Sequence, residues 1–116
     1  MKIVSMDKVK KIKIDRDGAR NLFKQVLISD SDGSPLFCFR VFTIDPGGYS
    51  PYHAHPFEHI NYVIDGSGVL VTESGEEKAL RKGDFALVLP NEKHRYKNVS
   101  PDRPFVMICA VPKEYE

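Results

Sequence analysis

The stretch His53-Ala54-His55-Pro56-Phe57-Glu58-His59 contains three of the four histidines in this chain of 116 residues. In an extended segment successive side chains point to opposite faces, so His53 and His55 share a face about 6.5–7 Å apart. The proline that follows favours a corner, after which His59 can point back towards the first pair. The spacing therefore predicts three imidazoles gathered around one point.

The fourth histidine follows the turn-like run Pro90-Asn91-Glu92-Lys93 and can close the same site from a distant strand. Imidazoles packed together in a core would each need a hydrogen-bond partner. Neutral imidazole is, in contrast, a common ligand of transition metals. We therefore predict one divalent transition metal ion per chain, and its predicted ligands are His53, His55, His59 and His94.

Four neutral imidazoles would leave the ion with its full double charge, so anionic ligands should bind to it readily. An ion that prefers six ligands would keep two adjacent positions for water, dioxygen or a substrate. Imidazole suits manganese, iron, nickel, copper and zinc, and the donor set alone does not select among them.

Glycine and proline punctuate short apolar segments, and no long segment has helical periodicity, which predicts an all-β fold. We expect one domain over residues 1–116, with an N-terminal strand segment at 1–28 and a barrel core at about 36–111. Turns are predicted at Asp45-Pro46-Gly47-Gly48 and at Ser74-Gly75. The predicted strands are Lys10–Asp15, Leu22–Ile28, Leu36–Ile44, His59–Ile64, Gly68–Glu73, Glu77–Arg81, Phe85–Leu89 and Phe105–Val111.

Two motifs resemble those of the cupin family. Gly47-x5-His53-x-His55-x3-His59-x6-Gly66 is similar to the first cupin motif, and Gly83 through Pro90 to His94-x3-Asn98 is similar to the second. The resemblance implies a double-stranded β-helix, or jelly-roll, barrel with Met107 and Cys109 facing the pocket. The chain departs from the first motif in having His59 at the usual place of a glutamate.

The all-histidine version resembles small, four-histidine, manganese-binding cupins of thermophilic bacteria. That likeness makes manganese a favoured ion, and iron is favoured beside it for oxygen chemistry, while nickel, copper and zinc also suit the donor set. The second motif departs from the family near Glu92, where a glycine is usual.

Two residues outside the histidine set are candidates for a catalytic role. Arg40 lies in an apolar segment, where its charge must face solvent or a polar cavity; in a cavity it could bind a substrate carboxylate or phosphate. Tyr96 shares a face with His94 and either orients a ligand or forms part of the barrel wall. Asn98 is predicted to brace a turn.

The favoured function is a metal-dependent enzyme acting on a small molecule, with a dioxygenase-like oxidoreductase ranked first. Isomerases and lyases of sugars or organic acids use the same barrel with the metal as Lewis acid. A non-catalytic module that binds a small ligand is a third interpretation.

Charge and hydropathy limit the partners. The chain has 17 basic and 16 acidic residues and no apolar run of membrane-spanning length, so neither nucleic acid nor a membrane is expected as a partner. Cys38 and Cys109 each lie in an apolar run and are predicted to be buried thiols, which suits the cytoplasm. The alternating apolar and basic residues 9–14 predict a homodimer in which this segment joins a partner's sheet.

Overall fold

A computed structural model describes residues 1–115 of the chain, which form nine β-strands and three short 3-10 helices. This confirms the all-β prediction and the eight predicted strands, with shifted ends, and adds one strand, β8, that was not predicted. The strands are β1 (Ile12–Lys13), β2 (Arg20–Ile28), β3 (Phe37–Tyr49), β4 (His59–Asp65), β5 (Ser67–Val71), β6 (Glu77–Arg81), β7 (Phe85–Val88), β8 (Arg95–Lys97) and β9 (Phe105–Pro112). The 3-10 helices are Met6–Lys8, Asp30–Asp32 and Lys113–Tyr115.

All nine strands belong to one curled sheet with the order β6-β5-β8-β3-β9-β4-β7, and β2 and β1 extend it beside β3. Every strand pair is antiparallel. Strand β3 connects the two halves, because its first part pairs with β2 and β9 whereas Tyr49 at its end pairs with Lys97 of β8. The sheet therefore curls around an interior that receives alternate side chains of each strand.

The turn predicted at Asp45-Pro46-Gly47-Gly48 is wrong, since these residues lie inside β3. The strand continues through them by a bulge: Leu22 pairs with Ile44, but Arg20, two residues earlier, pairs with Tyr49. Glycine makes the bulge sterically feasible, because Gly47 has a φ of +78°. This bulge carries β3 from one half of the sheet to the other.

The histidine pair is also placed differently from the prediction, since His53 and His55 do not lie in a regular strand. His53 instead forms an isolated antiparallel bridge with His94, with N–O distances of 3.1 and 2.9 Å between their backbones. The backbone amide of Asn91 also donates to the carbonyl of His55 at 2.7 Å. These bonds fasten the first motif directly to the second.

The buried core lies beside the histidines and includes Ile44, Val63, Phe105 and Met107. Gly66, between β4 and β5, is required beside this core, because it has a φ of +71° and a Cβ would lie 2.0 Å from the carbonyl oxygen of Pro104. Glycine therefore lets the chain pass from β4 to β5 against the backbone of Pro104.

The two cysteines are buried, as predicted, and do not form a disulfide with each other. Both pack beside Val111 at one end of the sheet. Within residues 1–115, no helix has the length and apolar character needed to cross a membrane.

Candidate metal centre

A cavity of about 250 Å³ opens inside the curled sheet, and all four histidines lie on its wall. His59 is the first residue of β4, and His94 immediately precedes β8. His53 is held opposite His94 by the backbone bridge, and His55 follows in the loop. Three separate parts of the backbone thus bring the predicted ligands to one cavity.

The imidazole rings are close neighbours. Potential ligand atoms of His53, His55 and His94 all lie within 4.8 Å of one another, which forms a group able to hold a metal ion. The ring of His59 lies 5.0 Å from those of His55 and His94, between centroids. The Nε2 atoms of His59 and His94 are 3.1 Å apart.

Three of the imidazoles have their Nδ1 atom beside an oxygen acceptor. His55 Nδ1 lies 3.0 Å from the carbonyl of Phe57, and His94 Nδ1 lies 2.8 Å from the carbonyl of Glu92. Each Nδ1 must carry the proton and donate it, because a carbonyl oxygen can only accept. In a neutral ring the Nε2 atom is then unprotonated, and its lone pair is free to bind a metal.

The acceptor for His59 is a side chain. Its Nδ1 lies 2.7 Å from Oδ1 of Asn61, and the buried hydroxyl of Tyr96 donates to the same Oδ1 at 2.7 Å. The amide nitrogen of Asn61 donates to the carbonyl of Ile108 at 3.4 Å, which fixes which end of the amide faces the histidine. Tyr96 and Asn61 together fix the orientation of the His59 ring.

These tautomers test whether the site fits a metal. With both Nδ1 atoms protonated, the Nε2 atoms of His59 and His94 cannot hydrogen-bond to each other across their 3.1 Å separation. Two nitrogens each about 2.1 Å from one ion, at a right angle, would be about 3.0 Å apart. The arrangement therefore suits a shared metal ion better than it suits a hydrogen bond.

Burial and mutual repulsion favour the neutral form of His53, His59 and His94. Burial, reinforced by repulsion from His94, lowers the pKa of His59 to about 3 and that of His53 to about 4. Burial also lowers the pKa of His94. Neutral rings are the form that binds metals, so protons compete weakly for these nitrogens near neutral pH.

Arg40 lies on the cavity wall, so of its two interpretations the structure shows the polar cavity and not an exposed edge. Its Nη2 donates to the sulfur of Cys109 at 3.1 Å, and its guanidinium lies 5.0 Å above the ring of Phe42. Its Nε is buried and has no hydrogen-bond partner. Met107 and Cys109 face the same cavity, as the resemblance implied.

The cavity wall is basic. Arg16, Lys24 and Arg40 line it, and no aspartate or glutamate does so among residues 1–115. Tyr96 stays protonated, because burial raises its pKa well above the ordinary value. The wall thus offers cations, neutral imidazoles and apolar side chains.

Sequence reasoning missed an aromatic stack at the cavity. Phe57 stacks on His55 with 4.1 Å between centroids, and Tyr115 stacks on the other face of Phe57 at the same distance. The two-residue spacing of His55 and Phe57 is compatible with side chains on the same face of an extended segment. No pattern in the sequence connects Tyr115 to them. The hydrogen bond between His59 and the side chain of Asn61 was not predicted either.

Asn98 does brace a turn, as predicted. Its side-chain amide donates to the carbonyls of Ile44 and Arg103, both at 2.8 Å, and its oxygen accepts from the amide of Ser100. This residue belongs to the frame of the site and not to the cavity wall.

Comparison with known proteins agrees with this architecture. The cupin domain profile matches residues 40–111, which is more than half of the chain and includes all four histidines. The chain belongs to the cupin family. The solved polyketide cyclase RemF from Streptomyces resistomycificus is similar with a TM-score of 0.90 and 28% identity, over 97% of this chain and 79% of that one.

Other relatives carry the names of different enzymes. L-ectoine synthase of Mycolicibacterium gilvum is 32% identical over 82% of this chain and 72% of its own length. Gentisate 1,2 dioxygenase 1 of Aquipseudomonas alcaligenes is 33% identical, but the match spans 53% of this cupin and only 17% of the dioxygenase. The family of this chain is therefore established, but its relatives are named for different reactions.

Proposed function

We propose that this cupin is a divalent-metal-dependent enzyme acting on a small molecule, with the ion held by His53, His55, His59 and His94. One observation carries the proposal: oxygen acceptors fix the Nδ1 protons of three imidazoles, which directs their Nε2 lone pairs into one cavity. Manganese or iron remains the proposed ion, and nickel, copper and zinc share the preference for imidazole.

When bound, a divalent ion would supply Lewis-acid polarisation of a substrate oxygen and, if it is redox-active, electron transfer. The chain supplies the remaining functions. Four neutral ligands preserve the double charge of the ion, and Asn61 with Tyr96 keeps the His59 ring in a fixed orientation. Phe42, Ile44 and Met107 form an apolar part of the wall, which limits water around the ligand.

Tyr96 is assigned a positioning role in this proposal. Its hydroxyl is committed to Asn61 and its raised pKa keeps it protonated, so it is not suited to act as a base. Residues 1–115 place no carboxylate on the wall, so none of them supplies the usual alternative base. Chemistry at this site would rest on polarisation and binding more than on proton abstraction by the protein.

The first candidate reaction is a Lewis-acid reaction without net oxidation, of the isomerase or lyase type. The support is the extent of similarity: the relatives named as a synthase and a cyclase match most of this chain. This reverses the order proposed from the sequence. A dioxygenase-like reaction is the second candidate, supported by the shorter match to gentisate dioxygenase.

The test is turnover with and without oxygen. Protein purified without a histidine tag would be loaded with manganese, iron or zinc and incubated with panels of small organic acids, phenols and sugars. Products would be followed by NMR under argon, and oxygen consumption would be followed in air. The His94→Ala variant, treated identically, controls for turnover that does not need the site.

Turnover under argon that His94→Ala loses would support the first candidate. Turnover that requires oxygen would support the second. If no panel member is converted by the metal-loaded protein, or if the variant is equally active, the enzymatic proposal is wrong and a non-catalytic binding module takes its place.

A further inference from the structure

Arg40 is placed at a defined distance from the histidine cluster by the register of three strands. It pairs with Cys109 of β9, and Cys109 pairs in turn with Asn61 of β4, so all three side chains share the inner face. Neighbouring strands lie about 4.8 Å apart, which puts the backbones of Arg40 and Asn61 about 10 Å from each other. A small molecule could therefore reach from the guanidinium to the metal site.

The protein uses only part of the hydrogen-bonding capacity of this guanidinium. One N–H donates to the sulfur of Cys109, which is a weak acceptor, and the buried Nε has no partner. Within residues 1–115, none of the ion pairs of the chain involves Arg40. A charged group with an unsatisfied donor inside a cavity is unfavourable unless a ligand supplies the missing acceptor.

Among residues 1–115, no aspartate or glutamate lines the cavity to take that role, and Arg16 adds positive charge to the wall. The central carbon of the guanidinium lies 5.0 Å from the centroid of the Phe42 ring, and the guanidinium itself is a planar fork of N–H donors. Such a fork matches the two oxygens of a carboxylate.

We propose that the substrate of this cupin is a small organic acid whose carboxylate binds the guanidinium of Arg40 while its other end reaches the histidine site. This inference rests on the proposed metal site for the position of that other end. The cavity has a volume of about 250 Å³. That volume suits a compact acid and not a polymer.

A carboxylate fits this place better than a phosphate. Phosphate sites usually combine several donors, such as the backbone N–H groups of a glycine-rich loop or a helix N-terminus. Here the side chains beside Arg40 are Phe42, Met107 and Cys109, which offer apolar surface and a thiol. A planar guanidinium with apolar side chains beside it is the complement of a carboxylate on an apolar body.

The experiment compares acids with their amides. Pyruvate, malonate and benzoate would be titrated calorimetrically into the manganese-loaded protein, beside pyruvamide, malonamide and benzamide at the same ionic strength, with inorganic phosphate as a further probe. The variants are Arg40→Met, which keeps the apolar stem, and Arg40→Lys, which keeps the charge but loses the fork. Arg103→Met is the matched control, because this exposed arginine pairs with Asp65 outside the cavity.

We expect at least one acid to bind more tightly than its amide and to lose tenfold or more in affinity in Arg40→Met. Arg40→Lys should show an intermediate loss, and Arg103→Met none. The proposal is wrong if no acid binds, if acids and amides bind equally, or if Arg40→Met binds acids normally. Tighter, Arg40-dependent binding of phosphate would overturn the assignment to carboxylates.

The metal content of each variant separates this inference from the proposed function. If the metal is retained and acids bind without regard to Arg40, only the substrate inference fails. If the wild-type protein binds no metal but still discriminates acids through Arg40, the proposed metal site fails and the anion site remains. Circular dichroism of both Arg40 variants checks that they are folded.

Discussion

The two faces of strand β4 reverse the usual distribution of polar and apolar residues. On the inner face His59 and Asn61 are only 5% and 2% exposed, whereas on the outer face Ile60 is 47% exposed. Buried polar groups are unfavourable unless they are paired or used, and large exposed apolar patches often mark contact surfaces. The inner face therefore indicates a ligand site, whereas the outer face presents exposed apolar side chains.

The reversal extends across four strands. One inner row runs Arg40, Cys109, Asn61, Ala86, and the adjacent outer row runs Phe39, Ala110, Ile60, Leu87. The outer face also carries Phe85, 72% exposed, against the ring of Tyr62. The inner row faces the cavity, whereas the outer row lies on the opposite face of the sheet. Substitutions in the two rows should therefore change different properties of the protein.

The largest effect is expected from Asn61→Leu on the inner face. This change leaves His59 Nδ1 and the Tyr96 hydroxyl without their shared acceptor. Loss of such a partner typically weakens metal binding by about 10–100-fold. Two unsatisfied donors should also destabilise the metal-free protein, by about 1–3 kcal/mol per group at most. Competition with a metallochromic chelator measures the affinity, and urea unfolding measures the stability.

The matched outer-face control is Ile60→Ala, one residue away. It should leave metal affinity unchanged, because its side chain points away from the cavity. Equal metal affinities for Asn61→Leu and Ile60→Ala would show that Asn61 does not orient a ligand.

A smaller effect is expected from Tyr96→Phe, compared with Tyr62→Phe. Tyr96 donates to Asn61 on the inner face, whereas Tyr62 packs against Phe85 on the outer face. Removing one hydrogen bond while the acceptor keeps another should lower metal affinity by about tenfold at most and stability by about 1 kcal/mol. Parallel chelator competition and thermal melts of the two variants would measure this. A loss of metal affinity in Tyr62→Phe as large as in Tyr96→Phe would contradict the positioning role assigned to Tyr96.

The smallest effect on the metal is expected from Leu87→Lys on the outer row. We propose that a second copy of the chain covers this face, so the predicted homodimer would form here. The segment at 9–14 is a weaker candidate, because its Ile12 and Lys13 pair with β2 of the same chain. Light scattering should give twice the chain mass for the wild type and the monomer mass for the variant, with metal content unchanged. A monomeric wild type would contradict the predicted homodimer.

The fold was predictable because short periodic segments and turn glycines indicate strands directly. Two segments are exceptions to this. Arg95–Lys97 is a three-residue strand, too short to show periodicity, and Asp45–Gly48 has turn composition although a bulge keeps it in β3. Such outcomes depend on distant partners, Tyr49 with Lys97 for example, that sequence spacing does not reveal.

The site was predictable to the level of residue type. Histidine spacing predicted the cluster, and the resemblance to cupins predicted which strands surround it. The hydrogen bond between Asn61 and Tyr96 and the stacking of Tyr115 on Phe57 were not predicted. Each joins residues separated by dozens of positions through side-chain geometry alone. Whether Arg40 faced solvent or the cavity likewise required the register between β3 and β9.

The most direct test of the account is the metal content of protein purified without added metal and without a histidine tag. Mass spectrometry of the wild type, His59→Ala and the exposed neighbour variant Glu58→Ala would be compared. The account predicts about one divalent transition metal ion per chain in the wild type and in Glu58→Ala, and little or none in His59→Ala. If the wild type holds no metal even after reconstitution, or if His59→Ala retains it fully, the four-histidine centre is contradicted.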